Sequence, residues 1–355
     1  MRLQDTLSNQ EQQLEDSEKI RVYLCGVTVY DESHIGHART IIVFDVLRKY
    51  LENKNIKVEF VQNFTDIDDK IINRAQNEKL PAEEISNRYI QNYFRDFDQL
   101  NIKRATNYPK ATEHIEDIID FVQKLIEKDI AYVSDNGVYF SVSKFPEYGK
   151  LSKKKINELQ SGSRIQIDET KKDPLDFAVW KCSDVEPTWN SPWGKGRPGW
   201  HIECSAMSMK YLGENFDIHG GGRDLIFPHH ENEIAQSESH TDSQFAKIWM
   251  HVGMVTITGE KMSKSLGNTK SIKHVLENWG ANIIRLFCLS GHYSKVIDYS
   301  EELLKENLTK WRQVETCYFE LIHANSGEQE DVSEKIKKIS QEFDDSLEDD
   351  LNTHL

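Results

Sequence analysis

The stretch IRVYLCGVTVYDESHIGHARTIIVFDVLRKYLENKNIKVEFVQN at residues 20–63 decides the fold. Its first six residues, IRVYLC, form a short apolar run that ends at Gly26, as is typical of a buried strand. The segment ARTIIVFDVLRKYLEN has apolar residues at helical spacing, and residues 57–63 predict a second strand. A strand, a helix and a strand in this order form a βαβ unit, whose strands are parallel. We therefore predict an α/β fold with a Rossmann-like parallel sheet.

The pattern is interrupted in the middle of the chain and resumes later. We predict helices at 82–99 and 114–128, a strand at 137–142 and a loop-rich stretch at about 160–199. Strand and helix signals return with GWHIECSAM, and the chain is mostly helical from about residue 274. The predicted domains are a first half of the catalytic domain (1–90), a connective insertion (91–195), a second half (196–270), a helical linker (271–325) and the start of an incomplete helical domain (326–355). The last segment begins a helix whose apolar face is unused, so we expect further sequence beyond it.

Charge, hydrophobicity and cysteine spacing disfavour several classes of protein. The net charge of −15 disfavours non-specific binding to phosphate backbones, although Lys150 and Lys153–Lys155 could form a local basic face or simply a solvated surface. No apolar run approaches the roughly 18 residues of a membrane span. The polar, acidic N-terminus does not resemble a secretory signal, so we expect a cytoplasmic protein. The five scattered cysteines do not indicate a disulfide framework.

Two short signatures carry residues suited to phosphate chemistry. The first, SHIGHART at 33–40, lies between a strand and a helix, at the sheet edge where open α/β folds bind ligands. A helix N-terminus attracts phosphate, Gly36 permits close approach, and His34 and His37 can donate hydrogen bonds. The second, KMSKS at 261–265, places Lys261 and Lys264 on a loop that can neutralise pyrophosphate. Each alone is compatible with a capped helix or an exposed loop, whereas the pair indicates ATP binding.

With both signatures intact, the chain resembles the class I aminoacyl-tRNA synthetases. The longer motifs are similar to those of the cysteine-specific family: LCGVTVYDESHIGHART (24–40), NFTDIDDKI (63–71), RPGWHIECSAM (197–207), FDIHGGG (216–222) and FPHHENEIAQS (227–237). This resemblance implies a monomer that activates L-cysteine with ATP and Mg²⁺ and transfers it to the 3′ end of tRNA(Cys). Family members continue into a helical bundle that reads the anticodon, and the final segment here matches only its start. Adenylate formation is therefore a firmer expectation than efficient tRNA charging.

The resemblance also implies one zinc ion held by Cys25, Cys204, His229 and Glu233. Spacing alone does not predict this site, because there is no CxxC pair and buried cysteines are an adequate alternative. His229 and Glu233 are separated by i, i+4 and would project from one face of a helix. Zinc accepts thiolate, imidazole and carboxylate together and can leave room for a substrate sulfur, which a serine hydroxyl would replace poorly.

Further residues match the amino-acid pocket of the family. These are Gly26, Thr65 and Trp200, with His219 as a candidate for the pocket wall. Within HHENE, the resemblance places the first histidine and the second glutamate on zinc, so His230 and Glu231 are the neighbours most easily confused with ligands.

Two alternatives to a tRNA ligase remain open. One is a cysteine:amino-sugar ligase of the mycothiol type, and the other is a non-enzymatic remnant that binds RNA or protein.

Overall fold

The computed structural model describes residues 1–15, 17–155, 170–262, 267–324 and 331–353. Its strands are β1 (Arg2–Asp5), β2 (Gln10–Gln13), β3 (Lys19–Thr28), β4 (Lys57–Thr65), β5 (Ala131–Ser134), β6 (Gly137–Phe140), β7 (Phe177–Cys182), β8 (Gly196–Pro198), β9 (Phe216–Gly222), β10 (Ala246–Val252), β11 (Val255–Ile257), β12 (Glu260–Lys261) and β13 (Ile297–Asp298). Its helices are α1 (Ile35–Asn53), α2 (Asp69–Glu78), α3 (Ala82–Gln99), α4 (Ile115–Glu127), α5 (Trp200–Leu212), α6 (Glu231–Thr241), α7 (Ile272–Trp279), α8 (Ala281–Leu289), α9 (Glu301–His323) and α10 (Ser333–Glu348).

A four-stranded parallel sheet lies at the centre, in the order β10-β9-β3-β4. The strands β3 and β4 come early in the chain, and β9 and β10 come late. The part of the chain between β4 and β9 contributes a separate antiparallel sheet in the order β5-β6-β7-β8. The predicted fold class is confirmed: a parallel α/β sheet is split by an insertion and followed by a mostly helical part. The domain boundaries given above remain predictions.

The parallel sheet separates two buried clusters, because successive strand residues point to opposite faces. On β3, Val22 and Leu24 belong to the cluster that contains the apolar residues of α1. Tyr23 and Cys25 belong to the other cluster, together with residues of α4, α5 and α6. The alternation therefore places Cys25 on the same face of the sheet as α5, which carries Cys204.

Two parts of the chain contain more regular structure than their sequence indicated. In the stretch predicted to be loop-rich, β7 forms because Val179 and Trp180 are buried, and the partly buried Phe177 stacks on Phe140 at 4.9 Å between ring centroids. The polar N-terminus forms the β1–β2 hairpin. The carboxylate of Asp5 accepts the backbone N–H of Trp249 at 2.8 Å, which joins this hairpin to β10. Conversely, the strand predicted at 137–142 ends at Phe140, where a 3-10 turn over Val142–Lys144 follows.

The two last helices have exposed apolar side chains. Helix α10 contacts α1 through a hydrogen bond from Tyr50 Oη to Glu348 Oε1 (3.0 Å) and an ion pair of Lys54 with Asp344 (2.8 Å). The exposed large apolar residues of α9 and α10 are Val314, Tyr318, Phe319, Leu321, Ile322, Ile336, Ile339 and Phe343. Among the described residues, no helix is both long and apolar enough to span a membrane.

Arg39 is fully buried and links α1 to the segments that follow β10 and α8. Its guanidinium donates to the carbonyl oxygens of Gly253 (2.9 Å), Met254 (3.2 Å) and His292 (3.2 Å). Burial lowers the pKa of Arg39 to about 10, so the group stays charged at neutral pH. We expect Arg39→Met to lower the free energy of unfolding by about 3 kcal/mol, because buried carbonyls would lose charged donors. Urea denaturation followed by circular dichroism measures this loss.

Arg104 offers a matched control for that substitution. Its side chain is 49% exposed and pairs with Asp98 at the surface. We expect Arg104→Met to change the free energy of unfolding by less than about 1 kcal/mol, since exposed ion pairs contribute little. Equal losses in the two variants would contradict the structural role assigned to Arg39.

Candidate active site and metal centre

A cavity of about 300 Å³ lies at the carboxyl edge of the parallel sheet. Its lining includes Cys25, Gly26, Val27 and Thr28 of β3, His34, Gly36 and His37 at the start of α1, Gly222 of β9, Val252 of β10, and Trp200 and Met262. Ligands of open α/β folds bind at this edge, because the strands end there and the following loops and helix N-termini face the crevice.

Helix α1 begins with two histidines that cap each other. His34 Nδ1 accepts the backbone N–H of Gly36 at 3.1 Å, and His37 Nδ1 accepts the backbone N–H of His34 at 3.3 Å. The rings stack with centroids 3.7 Å apart. A neutral imidazole whose Nδ1 accepts a hydrogen bond carries its proton on Nε2. Both residues line the cavity, so the capping arrangement gives the site two Nε2–H donors at a helix N-terminus.

The segment that follows the second signature lies against the first signature, although the two are far apart in sequence. The backbone N–H of Ile35 donates to Lys270 O at 3.0 Å, and that of Ile272 donates to Ser33 O at 2.9 Å. Met262, inside the signature, lines the same cavity as the capping histidines. The backbone of Lys261 belongs to β12, but its side chain is not described, and Lys264 lies outside the described residues. The contacts of both lysines with ATP therefore remain predictions.

Four buried side chains from three parts of the chain meet beside this cavity: Cys25, Cys204, His229 and Glu233. Their candidate ligand atoms all lie within 4.8 Å of one another. The two Sγ atoms are 3.7 Å apart, Cys25 Sγ is 3.4 Å from Glu233 Oε1, and His229 Nε2 is 3.1 Å from the same oxygen. His229 lies in the turn Ile226–His230, which runs directly into α6, so the i, i+4 pair lies on one face.

The spacing of these atoms fits a tetrahedral zinc site. With a zinc–sulfur bond of about 2.3 Å, two thiolates on a tetrahedron are separated by about 3.8 Å, close to the 3.7 Å observed. Burial, with the neighbouring histidines, lowers the pKa of His229 well below its usual range, so its imidazole is neutral and can offer a lone pair. Burial also raises the pKa of the Cys25 thiol, which a bound cation would counteract.

Glu233 supplies a second argument for a cation. Its carboxylate is fully buried, and its contacts are with histidines and a thiol. Within the described residues it has no ion pair with lysine or arginine. Buried carboxylates are stabilised by an opposite charge or by a metal. The donor set therefore fits one zinc ion.

Two histidines around the cluster, His201 and His251, were not identified from the sequence, whereas His219 and His230 were named there. His230 Nε2 is 3.2 Å from Cys25 Sγ, and its Nδ1 is 2.7 Å from Nε2 of His251. His201 Nδ1 is 2.9 Å from Nδ1 of His229. With His219, His230 and Cys25 form a second group of possible ligands. The motif HIEC and the histidine in IWMHV were the available signals, but neither has ligand spacing.

Of the four residues expected around the substrate, two line the cavity and two are buried in the protein. Gly26 and Trp200 line the cavity, and the Trp200 ring stacks on His229 at 4.3 Å between centroids. His219 is fully buried, and its Nε2 is 2.8 Å from Glu233 Oε2. Thr65, at the end of β4, is also buried. The substrate contacts of all four residues remain predictions.

Glu231, the other acidic residue of HHENE, faces away from the cluster. Its carboxylate accepts the backbone N–H of Gly149 at 2.9 Å and that of Ser152 at 2.7 Å. Glu231 therefore stabilises the loop around Gly149–Ser152, which follows β6 in the chain. Glu233, two residues later, faces the cysteines.

Comparison with known proteins identifies the family. The domain described as "tRNA synthetases class I (C) catalytic domain" matches residues 11–309. A cysteine–tRNA ligase of Thermodesulfovibrio yellowstonii is 54% identical, over 99% of this chain and 76% of that protein. The chain belongs to the cysteine–tRNA ligase family. The cysteine–tRNA ligase of Caldicellulosiruptor saccharolyticus is another member, 50% identical over 99% of this chain and 78% of its own length.

Solved structures of other class I synthetases share the fold of this cysteine–tRNA ligase family member. Methionyl-tRNA synthetase of Mycobacterium tuberculosis in complex with methionyl-adenylate superimposes with a TM-score of 0.71, over 95% of this chain and 80% of that one. The sequence identity is 16%, so this likeness concerns the fold alone.

Proposed function

We propose that this chain activates L-cysteine with ATP and transfers the cysteinyl group from cysteinyl-adenylate to the 3′ end of tRNA(Cys). The observation that carries the proposal is the position of the Cys25, Cys204, His229 and Glu233 cluster, whose Cys25 lines the same cavity as His34 and His37. A candidate thiol-binding site and a candidate phosphate-binding site are thus adjacent. That is the arrangement a cysteine-activating enzyme needs.

In the first step the substrate carboxylate attacks the α-phosphorus of ATP, which enters with Mg²⁺, and pyrophosphate leaves. The Nε2–H groups of His34 and His37 donate to phosphate oxygens, where negative charge develops during attack. Lys261 and Lys264 neutralise the departing pyrophosphate. In the second step a hydroxyl of the terminal adenosine attacks the carbonyl carbon of the adenylate and AMP leaves. Positioning and electrostatics account for catalysis, without a covalent enzyme intermediate.

Selectivity for cysteine is assigned to the metal centre. Zinc bound by Cys25, Cys204, His229 and Glu233 supplies a Lewis acid with high affinity for a thiolate and low affinity for an alcohol. Ordinary pocket contacts discriminate poorly between side chains that differ by one atom. Gly26, Thr65, Trp200 and His219 are assigned to hold the rest of the amino acid. The chain is proposed to act as a monomer.

Cysteine-dependent ATP–pyrophosphate exchange tests this function. We expect exchange with cysteine, none above background with serine, and about one zinc per chain in the same sample. Removing zinc with a chelator should abolish cysteine-dependent exchange, and adding zinc back should restore it. Folded, zinc-loaded protein that gives no exchange would refute the proposal.

The acceptor is tested separately on the active preparation. Transfer of labelled cysteine to a tRNA(Cys) transcript is expected, and transfer to an amino-sugar is not. The opposite result would assign the chain to the cysteine:amino-sugar ligases. A transcript lacking the terminal adenosine is the matched control, because it cannot accept an aminoacyl group.

A further inference from the structure

Strands β3 and β4 leave their regular register at one place, beside the metal centre. Leu24 pairs with Gln62 and Val27 pairs with Phe64, so two residues of β3, Cys25 and Gly26, lie opposite Asn63 alone. This is a β-bulge, in which one extra residue interrupts the ladder and redirects its neighbours. Consecutive residues of a regular strand point to opposite faces. Here Cys25–Thr28 all line one cavity.

The side chain of Asn63 holds the bulge. A bulge leaves a backbone group without its ladder partner, and a part-buried N–H needs another acceptor. Asn63 Oδ1 accepts the N–H of Gly26 at 2.8 Å. Asn63 is only 1% exposed and does not line the cavity, so its amide is available to the protein and not to a ligand.

The same amide reaches two further parts of the site. Asn63 Oδ1 is 3.7 Å from Cys204 Sγ, which belongs to α5. Asn63 Nδ2 is 3.5 Å from Thr65 Oγ1. One buried side chain thus contacts the strand that carries Cys25, the helix that carries Cys204, and a residue assigned to the substrate pocket.

We propose that Asn63 is a positioning residue, which fixes the separation of Cys25 and Cys204 and the orientation of Gly26, and thereby sets the affinity for the substrate thiol. The kinetic part of this inference, the effect on the affinity for cysteine, rests on the proposed function. Its structural part, the geometry of the two cysteines, does not depend on that function. Asn63 is buried and does not line the cavity, so its effect should appear in metal geometry and cysteine binding and not in ATP binding.

Asn63→Leu tests the proposal, because leucine has nearly the same size and no amide. The zinc is exchanged for cobalt(II), whose sulfur-to-metal charge-transfer and d–d bands report the ligand geometry, and pyrophosphate exchange gives KM for cysteine and for ATP. We expect shifted cobalt bands and a KM for cysteine raised about 10–100-fold, as for other groups that support metal ligands, with KM for ATP unchanged. Asn63→Asp, which keeps the acceptor for Gly26, should retain more cysteine affinity than Asn63→Leu.

Asn307→Leu is the matched control. Asn307 of α9 is also 1% exposed, and its amide donates to Leu303 O at 2.8 Å. This variant should lose thermal stability yet keep the cobalt bands and the cysteine KM of the unaltered chain. If Asn63→Leu does not fold, Asn63→Ala carries the same test, because water can then solvate the Gly26 N–H.

Unaltered cobalt bands in a folded Asn63 variant would overturn the proposal, as would failure of the unaltered chain to bind cobalt through thiolates. Altered bands with an unchanged cysteine KM would overturn the kinetic part. Absence of exchange by the unaltered chain would refute the proposed function, while the cobalt spectra would still decide whether Asn63 positions the cysteines.

Discussion

Cys204→Ser is expected to abolish stoichiometric zinc binding and to reduce kcat/KM for cysteine in pyrophosphate exchange by more than about 100-fold. Loss of a residue that merely supports a ligand costs up to about 100-fold, and Cys204 is assigned as a ligand itself. The cluster is buried and its four donors lie within 4.8 Å of one another, and a serine hydroxyl is a poor substitute for the lost thiolate. Zinc content by atomic emission and exchange on the same sample measure the two effects.

Cys317→Ser is the control for that experiment. Cys317 is exposed on α9, away from the cluster, and the substitution removes the same atom. We expect full zinc content and unchanged exchange. Normal zinc content together with undiminished, cysteine-selective exchange in Cys204→Ser would exclude Cys204 as a ligand and remove the main support for the metal centre.

Gly26→Ala is expected to reduce kcat/KM for cysteine by about 100-fold or more. A Cβ at this position would lie 1.6 Å from the carbonyl oxygen of Asn63 and 2.7 Å from its carbonyl carbon. Backbone atoms cannot yield as a side chain can, so β3 would have to move away from β4 and carry Cys25 with it. Misplacement by about 1 Å is enough for a loss of this size. Steady-state exchange kinetics and zinc content test the expectation.

Gly291→Ala serves as the matched substitution. There an added Cβ would meet its nearest neighbour, Ile297 Cγ2, at 3.5 Å, an ordinary contact. We expect this variant to keep its zinc and its exchange activity. If Gly26→Ala behaved in the same way, the close packing of β3 on Asn63 would have no functional consequence, and the assignment of Gly26 to the cysteine pocket would lose its basis.

Much of the fold could be predicted from local patterns. Apolar periodicity located α3 at residues 82–99 and α4 within one residue at each end, because both helices bury one stripe of side chains. The same reasoning placed β3 and β4 with only small errors at their ends. It missed β7 and the β1–β2 hairpin, since strands of only four to six residues are stabilised by neighbours that the local sequence does not reveal.

The candidate site was predicted in a different way. The resemblance to a known family implied Cys25, Cys204, His229 and Glu233 as zinc ligands, whereas their spacing in the chain did not indicate a metal site. The positions of Asn63, His201 and His251 beside the cluster had no signal with ligand spacing. Each depends on which side chain lies opposite it in another strand or helix.

By itself, the sequence determined the parallel α/β architecture and the two signatures at 33–40 and 261–265, because these depend on short-range periodicity and on motifs that are contiguous in the chain. The candidate ligands came from the resemblance of longer motifs to a family. Only the tertiary structure decided which of these residues meet. It brought Cys25 within 3.7 Å of Cys204, turned Glu231 away from the cluster, and placed a bulge opposite Asn63. The physical reason is that strand register and helix packing depend on the burial of apolar side chains that come from distant parts of the chain.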